Sequence, residues 1–312
     1  MRFRRSVETR PVYIETTRKE SACLSLLPVL PVVSSVSVPD GRAWLRRPIV
    51  VRDDANLRWL TGVRRFDYTF EFPHAAFITA DQCLFHTDSR YLNSFEENTP
   101  AGSPGFTTWT RVPSPAGSPA RLRLNKCRVC AVEDDMQINF YQGIQRGLED
   151  RSVACILPLM HDDIRKMRAI KDAEEIELMR HAQSITDAAF QHMLGFIKPG
   201  MTEKQVRNEL ENFMFANGAD SLAFGSIVAS GPNTANPHAV PSDRVIEKGD
   251  FVLMDYGAGY CDYRSDMTRT VVMGEPTQEQ LDLYALVRRT HEECVAAIHP
   301  GVEGNDIFKL SK

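Results

Sequence analysis

Phe251-Val252-Leu253-Met254-Asp255-Tyr256-Gly257-Ala258-Gly259-Tyr260-Cys261-Asp262-Tyr263-Arg264-Ser265-Asp266-Met267-Thr268-Arg269-Thr270-Val271-Val272 is the stretch whose reading decides the fold. Four apolar residues run straight into Asp255, and a second run rich in β-branched residues follows Asp266. The Gly- and Tyr-rich segment between them predicts a turn, and two such strands with a short connection predict a hairpin. One carboxylate is expected to end the first strand and the other to begin the second, so that they face each other across the turn. A carboxylate at the end of a buried strand is costly without a partner, and two like charges resist sharing a site. A divalent cation removes both costs, and paired hard oxygens suit Mn²⁺, Mg²⁺ or Ca²⁺ better than thiolate-seeking metals. The alternative is that Asp255 and Asp266 pair with Arg264, Arg269 or turn amides.

Working outward, helix signals surround this hairpin. Asp172 with Glu175 forms a capping box, opening a long helix that carries Ile176, Met179, Ile185, Ala189, Met193 and Ile197. It stops at Lys198-Pro199-Gly200. Thr202 with Gln205 caps a second helix bearing Val206, Leu210, Phe213 and Met214, ended by Asn217-Gly218. Thr277 with Gln280 caps a third, which ends at His299-Pro300-Gly301. Phe196-Ile197-Lys198-Pro199-Gly200 returns as Ala297-Ile298-His299-Pro300-Gly301, which predicts a duplicated half-domain. A second unit as long as the first would extend about ninety residues past Lys312.

Upstream, short apolar runs at Ile49–Val51, Ala75–Ile78 and Cys83–Phe85 predict strands, and Asp134–Arg146 predicts a helix. This is a mixed α/β pattern. The tetrapeptide Ala-Gly-Ser-Pro at 101–104 and 116–119 marks loops. Before it all, Arg2, Arg4 and Arg5 precede an apolar stretch, Ala22 to Val38, that Pro28 and Pro31 interrupt. Its polar lead-in is long and holds Glu8, Glu15 and Glu20, unlike a secretory leader. Three segments are therefore expected: a poorly ordered extension at 1–45, a first domain at 46–160 and a second at 161–312.

The chain has 312 residues, 43% hydrophobic and 25% charged, the balance of a soluble globular protein. A net charge of -4 leaves no electrostatic footprint for nucleic acid. No apolar run is long enough to span a bilayer. The seven cysteines are scattered and odd in number, which argues against a disulfide framework and predicts a reducing, cytoplasmic setting. Cys127 and Cys130 stand close, but no second pair completes a zinc-finger spacing, and two small strand residues are the simpler reading.

Asn236-Pro237-His238, Gly249-Asp250, Asp255-Tyr256-Gly257 and Ser265-Asp266-Met267-Thr268-Arg269-Thr270 together resemble the first metal half of the pita-bread metallopeptidases, of the prolidase and aminopeptidase P kind. Arg168, Lys171, Glu174, Glu175, Glu177 and the turn Pro199-Gly200-Met201-Thr202-Glu203 resemble the opening of the same domain. Asn56-Leu57-Arg58-Trp59-Leu60-Thr61-Gly62 and Asp88-Ser89-Arg90-Tyr91 are similar to the N-terminal domain of creatinase and prolidase relatives. The resemblance implies an α+β fold: a creatinase-type N-terminal α/β domain, then an incomplete pita-bread catalytic domain. It also implies that Asp255 binds one of two divalent metals, with manganese favoured, that Asp266 bridges both, and that His238 orients the substrate. Thr268 is then a candidate hydroxyl for fixing a ligand carboxylate.

The family's remaining ligands are a His and two Glu of the second half, and His291, His299, Glu292, Glu293 and Glu303 do not fit them. Weak or partial metal binding and little turnover are thus expected of these 312 residues. The implied substrate is a short peptide with proline second, and a homodimer is left open. Two other readings stay open: a creatinase-like or other small-amide C–N hydrolase, and a non-catalytic peptide-binding module. Retention of both aspartates argues against the metal-free creatinase branch.

Overall fold

The computed structural model describes residues 48–63, 74–79, 83–87, 91, 93, 95, 97, 107–109 and 128–312. The extension at 1–45, Asp88 to Arg90, both Ala-Gly-Ser-Pro loops and Cys127 lie outside the described residues. Two compact units meet in sequence between Asp172 and Ala173.

In the first unit, β1 (Ile49–Val51), β2 (Ala75–Ile78), β3 (Cys83–His86), β4 (Thr107–Trp109) and β5 (Ala131–Val132) form one sheet in the order β4-β3-β2-β1-β5. It is mixed: β1 runs antiparallel to β2 but parallel to β5. Every residue of β1 is buried because the sheet is covered on both sides. Ile49 and Val51 pack with Leu57 and Leu60 of α1 (Asp54–Thr61) and Ile164 of α3 (Asp163–Ala169). Val50, on the opposite face, packs with Ile144 and Leu148 of α2 (Ile138–Glu149).

That helix begins four residues later than the sequence implies. The region before it is a turn, where Glu133 is buried and accepts hydrogen bonds from Arg52 N, Asp53 N and Asn56 Nδ2. Burial pushes the Glu133 carboxyl up, although the Asn56 and backbone bonds pull the other way. Arg168 donates to Asn56 Oδ1 at 2.8 Å, so α3 belongs with this unit, beyond the boundary at 160 expected from composition.

In the second unit, α4 (Ala173–Phe196) and α5 (Glu203–Ala216) pack on one face of a sheet ordered β11-β8-β7, made of β7 (Ile227–Ser230), β8 (Phe251–Tyr256) and β11 (Met267–Val272). Val252, Met254 and Tyr256 of β8 are buried under these helices with Ile185, Ala189, Met193, Val206 and Leu210. The alternate residues, Phe251, Leu253 and Asp255, are only partly covered. That two-residue alternation is the mark of a sheet shielded on one side. The long helix departs from the expected stripe, because Ile176 and Met179 are exposed while the polar Glu175 and Thr186 turn inward.

The connection from β8 to β11 is more than a turn. β9 (Ala258–Tyr260) and β10 (Tyr263–Arg264) make their own small hairpin, which joins β6 (Ser221–Leu222) in a second sheet. Cys261 and Asp262 form its tip, both with positive φ. The capping boxes at Thr202/Gln205 and Thr277/Gln280 are present.

The second of them opens α6 (Gln278–Ala296), which has no buried side chain. Leu281, Leu283, Tyr284, Leu286, Val287 and Val295 are all exposed. So much uncovered apolar surface on one helix predicts that the chain binds a polarity-sensitive dye in its native state. Leu286→Lys with Val287→Lys should cut that fluorescence by about half or more. Unchanged fluorescence would place the apolar surface elsewhere.

Candidate metal site

The register of the central sheet fixes where the carboxylates lie. Asp255 stands between Ile227 of β7 and Thr268 of β11 as direct cross-strand partners. Partners in an antiparallel pair point to the same face, so Asp255 and Thr268 share the side of the sheet away from α4 and α5. Asp266 precedes β11 by one residue and Thr268 by two, which keeps it on that face. The two aspartates are therefore diagonal neighbours rather than facing partners, with Cβ atoms on the order of 7 Å apart in regular sheet geometry. This corrects the expected head-on arrangement: β8 continues to Tyr256, so Asp255 is its last residue but one.

The two groups differ in surroundings. Asp266 is exposed, whereas Asp255 is partly covered and its Oδ1 is buried with no hydrogen-bond partner. The basic residues that offered a simpler reading are engaged elsewhere. Arg264 donates to the Ala223 carbonyl and Arg269 to the Thr268 carbonyl.

His238 sits exposed in the loop after the 3₁₀ turn Gly231–Ala235, and its backbone N–H donates to Asn236 Oδ1. The next residue, Ala239, is buried against Ile227, Ala229 and Leu253. Leu253 and Ile227 lie on the face of Asp255, so this small cluster brings the His238 loop to the edge of the same open surface.

Sequence reasoning named Glu203 only as part of a turn and missed what it does. It is fully buried at the first turn of α5. Its Oε1 accepts from Ser230 N, Ser230 Oγ and Asn233 Nδ2, and its Oε2 from Ser242 N and Ser242 Oγ. Burial pushes this carboxyl up, but the bonds from Ser242, Asn233 and Ser230 outweigh it and hold the group below its ordinary value. Ser230 and Ser242 bracket the His238 loop, so one carboxylate ties both of its ends.

Arg244 extends the tie. It donates to Ser230 Oγ at 2.6 Å and grips both oxygens of Asp250, immediately before β8. The Arg244 hydrogen bond holds the Asp250 carboxyl down against the opposing effect of burial. Gly231 is required beside this pair, since its φ is +49° and a Cβ there would lie 2.5 Å from Arg244 Nη2 and 2.6 Å from Asp250 Oδ1. An acid at the start of a helix reads from sequence as a dipole charge. Nothing in its spacing reveals that the side chain turns inward.

Residues 177–312 match the model of metallopeptidase family M24, and residues 48–170 match the creatinase/prolidase N-terminal domain. An uncharacterised peptidase of Bacillus subtilis is 35% identical over 271 residues, 85% of this chain and 71% of that protein. This chain belongs to metallopeptidase family M24. It has that family's α+β fold, a creatinase-type N-terminal domain followed by pita-bread elements.

An Xaa-Pro dipeptidase of Pyrococcus furiosus is 39% identical to this M24 chain over 151 residues, 48% of it and 43% of the archaeal enzyme. Among solved structures, an Xaa-Pro dipeptidase from Bacillus anthracis superposes with a TM-score of 0.74 at 31% identity, covering 85% of this chain and 71% of its own. Among the described residues no cluster of three or more His, Cys, Asp or Glu gathers to hold a metal ion, and no helix is long and apolar enough to cross a membrane.

Proposed function

We propose that this chain carries the first half of the binuclear centre of an Xaa-Pro peptidase, of the prolidase and aminopeptidase P kind, which hydrolyses the bond before proline. Asp255 and Asp266 are the ligands it contributes, His238 is its substrate-contacting residue, and Thr268 orients a ligand carboxylate. What supports the reading is Asp255 Oδ1, buried without a partner on the open face that also carries Asp266. A buried carboxylate oxygen left unpaired costs about 1–3 kcal/mol, so its persistence argues for a ligand that takes it up.

The donor set fits a hard divalent cation, with manganese favoured, because it is made of oxygens and lacks thiolates. Bound cations of this kind supply Lewis acidity and a nucleophile from water at neutral pH. The chain's own groups have separate tasks. Asp255, near the end of the central strand, fixes the depth of the site, and Asp266, just before β11, presents an exposed carboxylate to the same ligand. His238 reaches from its tethered loop to hydrogen-bond the oxygen on which charge develops. The family resemblance implies three further ligands, a His and two Glu.

The test is hydrolysis of a panel of Xaa-Pro dipeptides and longer peptides with Mn²⁺, by this chain and by a form continued through any coding sequence past Lys312. Cleavage before proline by the longer form alone is expected. Cleavage of other amides with every Xaa-Pro peptide spared would move the substrate class. Full activity of the 312 residues alone would overturn the ligand assignment.

A further inference from the structure

Behind the two aspartates, on the helix-covered side of the sheet, lies a closed set of hydroxyls that the reaction itself does not use. Thr186 of α4 and Ser265 are both buried, and their hydroxyl oxygens are 2.6 Å apart. The Ala258 N–H donates to both, at 3.0 Å to Thr186 Oγ1 and 2.9 Å to Ser265 Oγ. Ser265 Oγ in turn donates to the Ala258 carbonyl, and the Tyr256 hydroxyl donates to the Thr186 carbonyl at 3.3 Å. Every member is thereby satisfied, which makes the set rigid. The strands meet here without room for a side chain: a Cβ at Gly257 would collide with the Ser265 carbonyl oxygen.

Position in sequence gives the set its meaning. Tyr256 directly follows Asp255, and Ser265 directly precedes Asp266. Strand alternation turns these neighbours inward while the carboxylates turn outward. The Thr186 hydroxyl therefore joins Ala258, three residues after Asp255, to Ser265, one residue before Asp266, across the whole β9–β10 excursion, while its carbonyl takes the Tyr256 hydroxyl.

We infer that Thr186 is a positioning residue of the metal site, its hydroxyl fixing how far apart Asp255 and Asp266 are held. The inference rests on the reading of those aspartates as ligands. Groups that orient ligands without touching the ion change affinity by roughly 10- to 100-fold when removed. Thr186→Val keeps the shape and deletes the hydroxyl, whereas Thr186→Ser keeps the hydroxyl.

The experiment is a Mn²⁺ titration of the whole chain followed by electron paramagnetic resonance, with wild type, Thr186→Val, Thr186→Ser and Asp255→Asn side by side. Wild type and Thr186→Ser should agree within about twofold, Thr186→Val should bind about tenfold more weakly, and Asp255→Asn should lose the site. A helical circular dichroism spectrum equal to wild type shows that Thr186→Val is folded. If it is not, Ser265→Ala cuts the same set from the strand side and carries the same expectation. Binding by the valine variant (or, in its place, Ser265→Ala) equal to wild type, with Asp255→Asn defective, would sink the positioning role and spare the ligand assignment. No Mn²⁺ binding by wild type, or equal binding by Asp255→Asn, would sink the ligand assignment and this inference with it.

Discussion

Asp255→Asn makes the metal-free chain more stable and leaves it unable to gain stability from Mn²⁺. The two effects have opposite signs because one atom causes both. Oδ1 of Asp255 is buried without a hydrogen bond, so the folded chain carries an unpaired polar oxygen that the unfolded chain would hydrate. Replacing the carboxylate by a neutral amide of the same shape relieves about 1 kcal/mol or more. For a unit of this size, that raises the melting temperature by roughly 3 °C or more in chelator. Adding Mn²⁺ stabilises wild type by mass action in proportion to ln(1 + [Mn²⁺]/Kd), and the variant by nothing. In a form that turns over Xaa-Pro peptides, the same substitution should lower kcat/KM by about a thousandfold or more, since a ligand is lost. Differential scanning calorimetry with and without Mn²⁺ checks the first pair of effects. A variant less stable than wild type in chelator would mean that Asp255 has a protein partner after all.

How much of this was legible in the sequence depends on the scale of the interaction. The strands around Asp255 and Asp266 were readable because apolar runs ending at a charge leave few alternatives, and the two capping boxes because their signal is local. Asp255 and Asp266 were legible as a pair, but their diagonal offset was not. Register depends on where β8 ends, and the aromatic Tyr256 extends it by one residue. Thr186 and Glu175 were unreadable as inward groups because period counting scores them as polar interruptions of a stripe. Their partners, Ser265 and Tyr263, lie some eighty residues away. The start of α2 failed for the same reason: Glu133 is bound by Arg52 and Asp53, between β1 and α1, and by Asn56 of α1, which no local window contains.

Glu203→Ala should cost about 3–5 kcal/mol, as much as emptying a large side chain from the core of the second unit. The loss is large because the carboxylate is an acceptor for Ser230, Asn233 and Ser242 together, through both side-chain and backbone donors. Truncation strands those donors in a buried place and leaves a cavity as well. Glu203→Gln is milder but not conservative, because its amide N–H₂ must face donors where the carboxylate offered an acceptor. The pH dependence separates the charge from the shape. The folded pKa of Glu203 lies below its unfolded value near 4.3, so its contribution is fully present above about pH 4.3. It is lost as pH falls through the folded value, where the native carboxylate takes up a proton. The difference in stability between wild type and Glu203→Gln should thus shrink on acidification from pH 7 toward pH 3. All three tryptophans, Trp44, Trp59 and Trp109, fall within the first unit, so tryptophan fluorescence follows its unfolding in urea, and the helix circular dichroism that this does not account for follows the second. A gap that stays constant with pH would show that the carboxylate charge contributes nothing and that shape alone holds the His238 loop. A gap that closes in acid ties the placement of that loop to an ionised Glu203, and peptide hydrolysis by the intact site should then fail at the same pH.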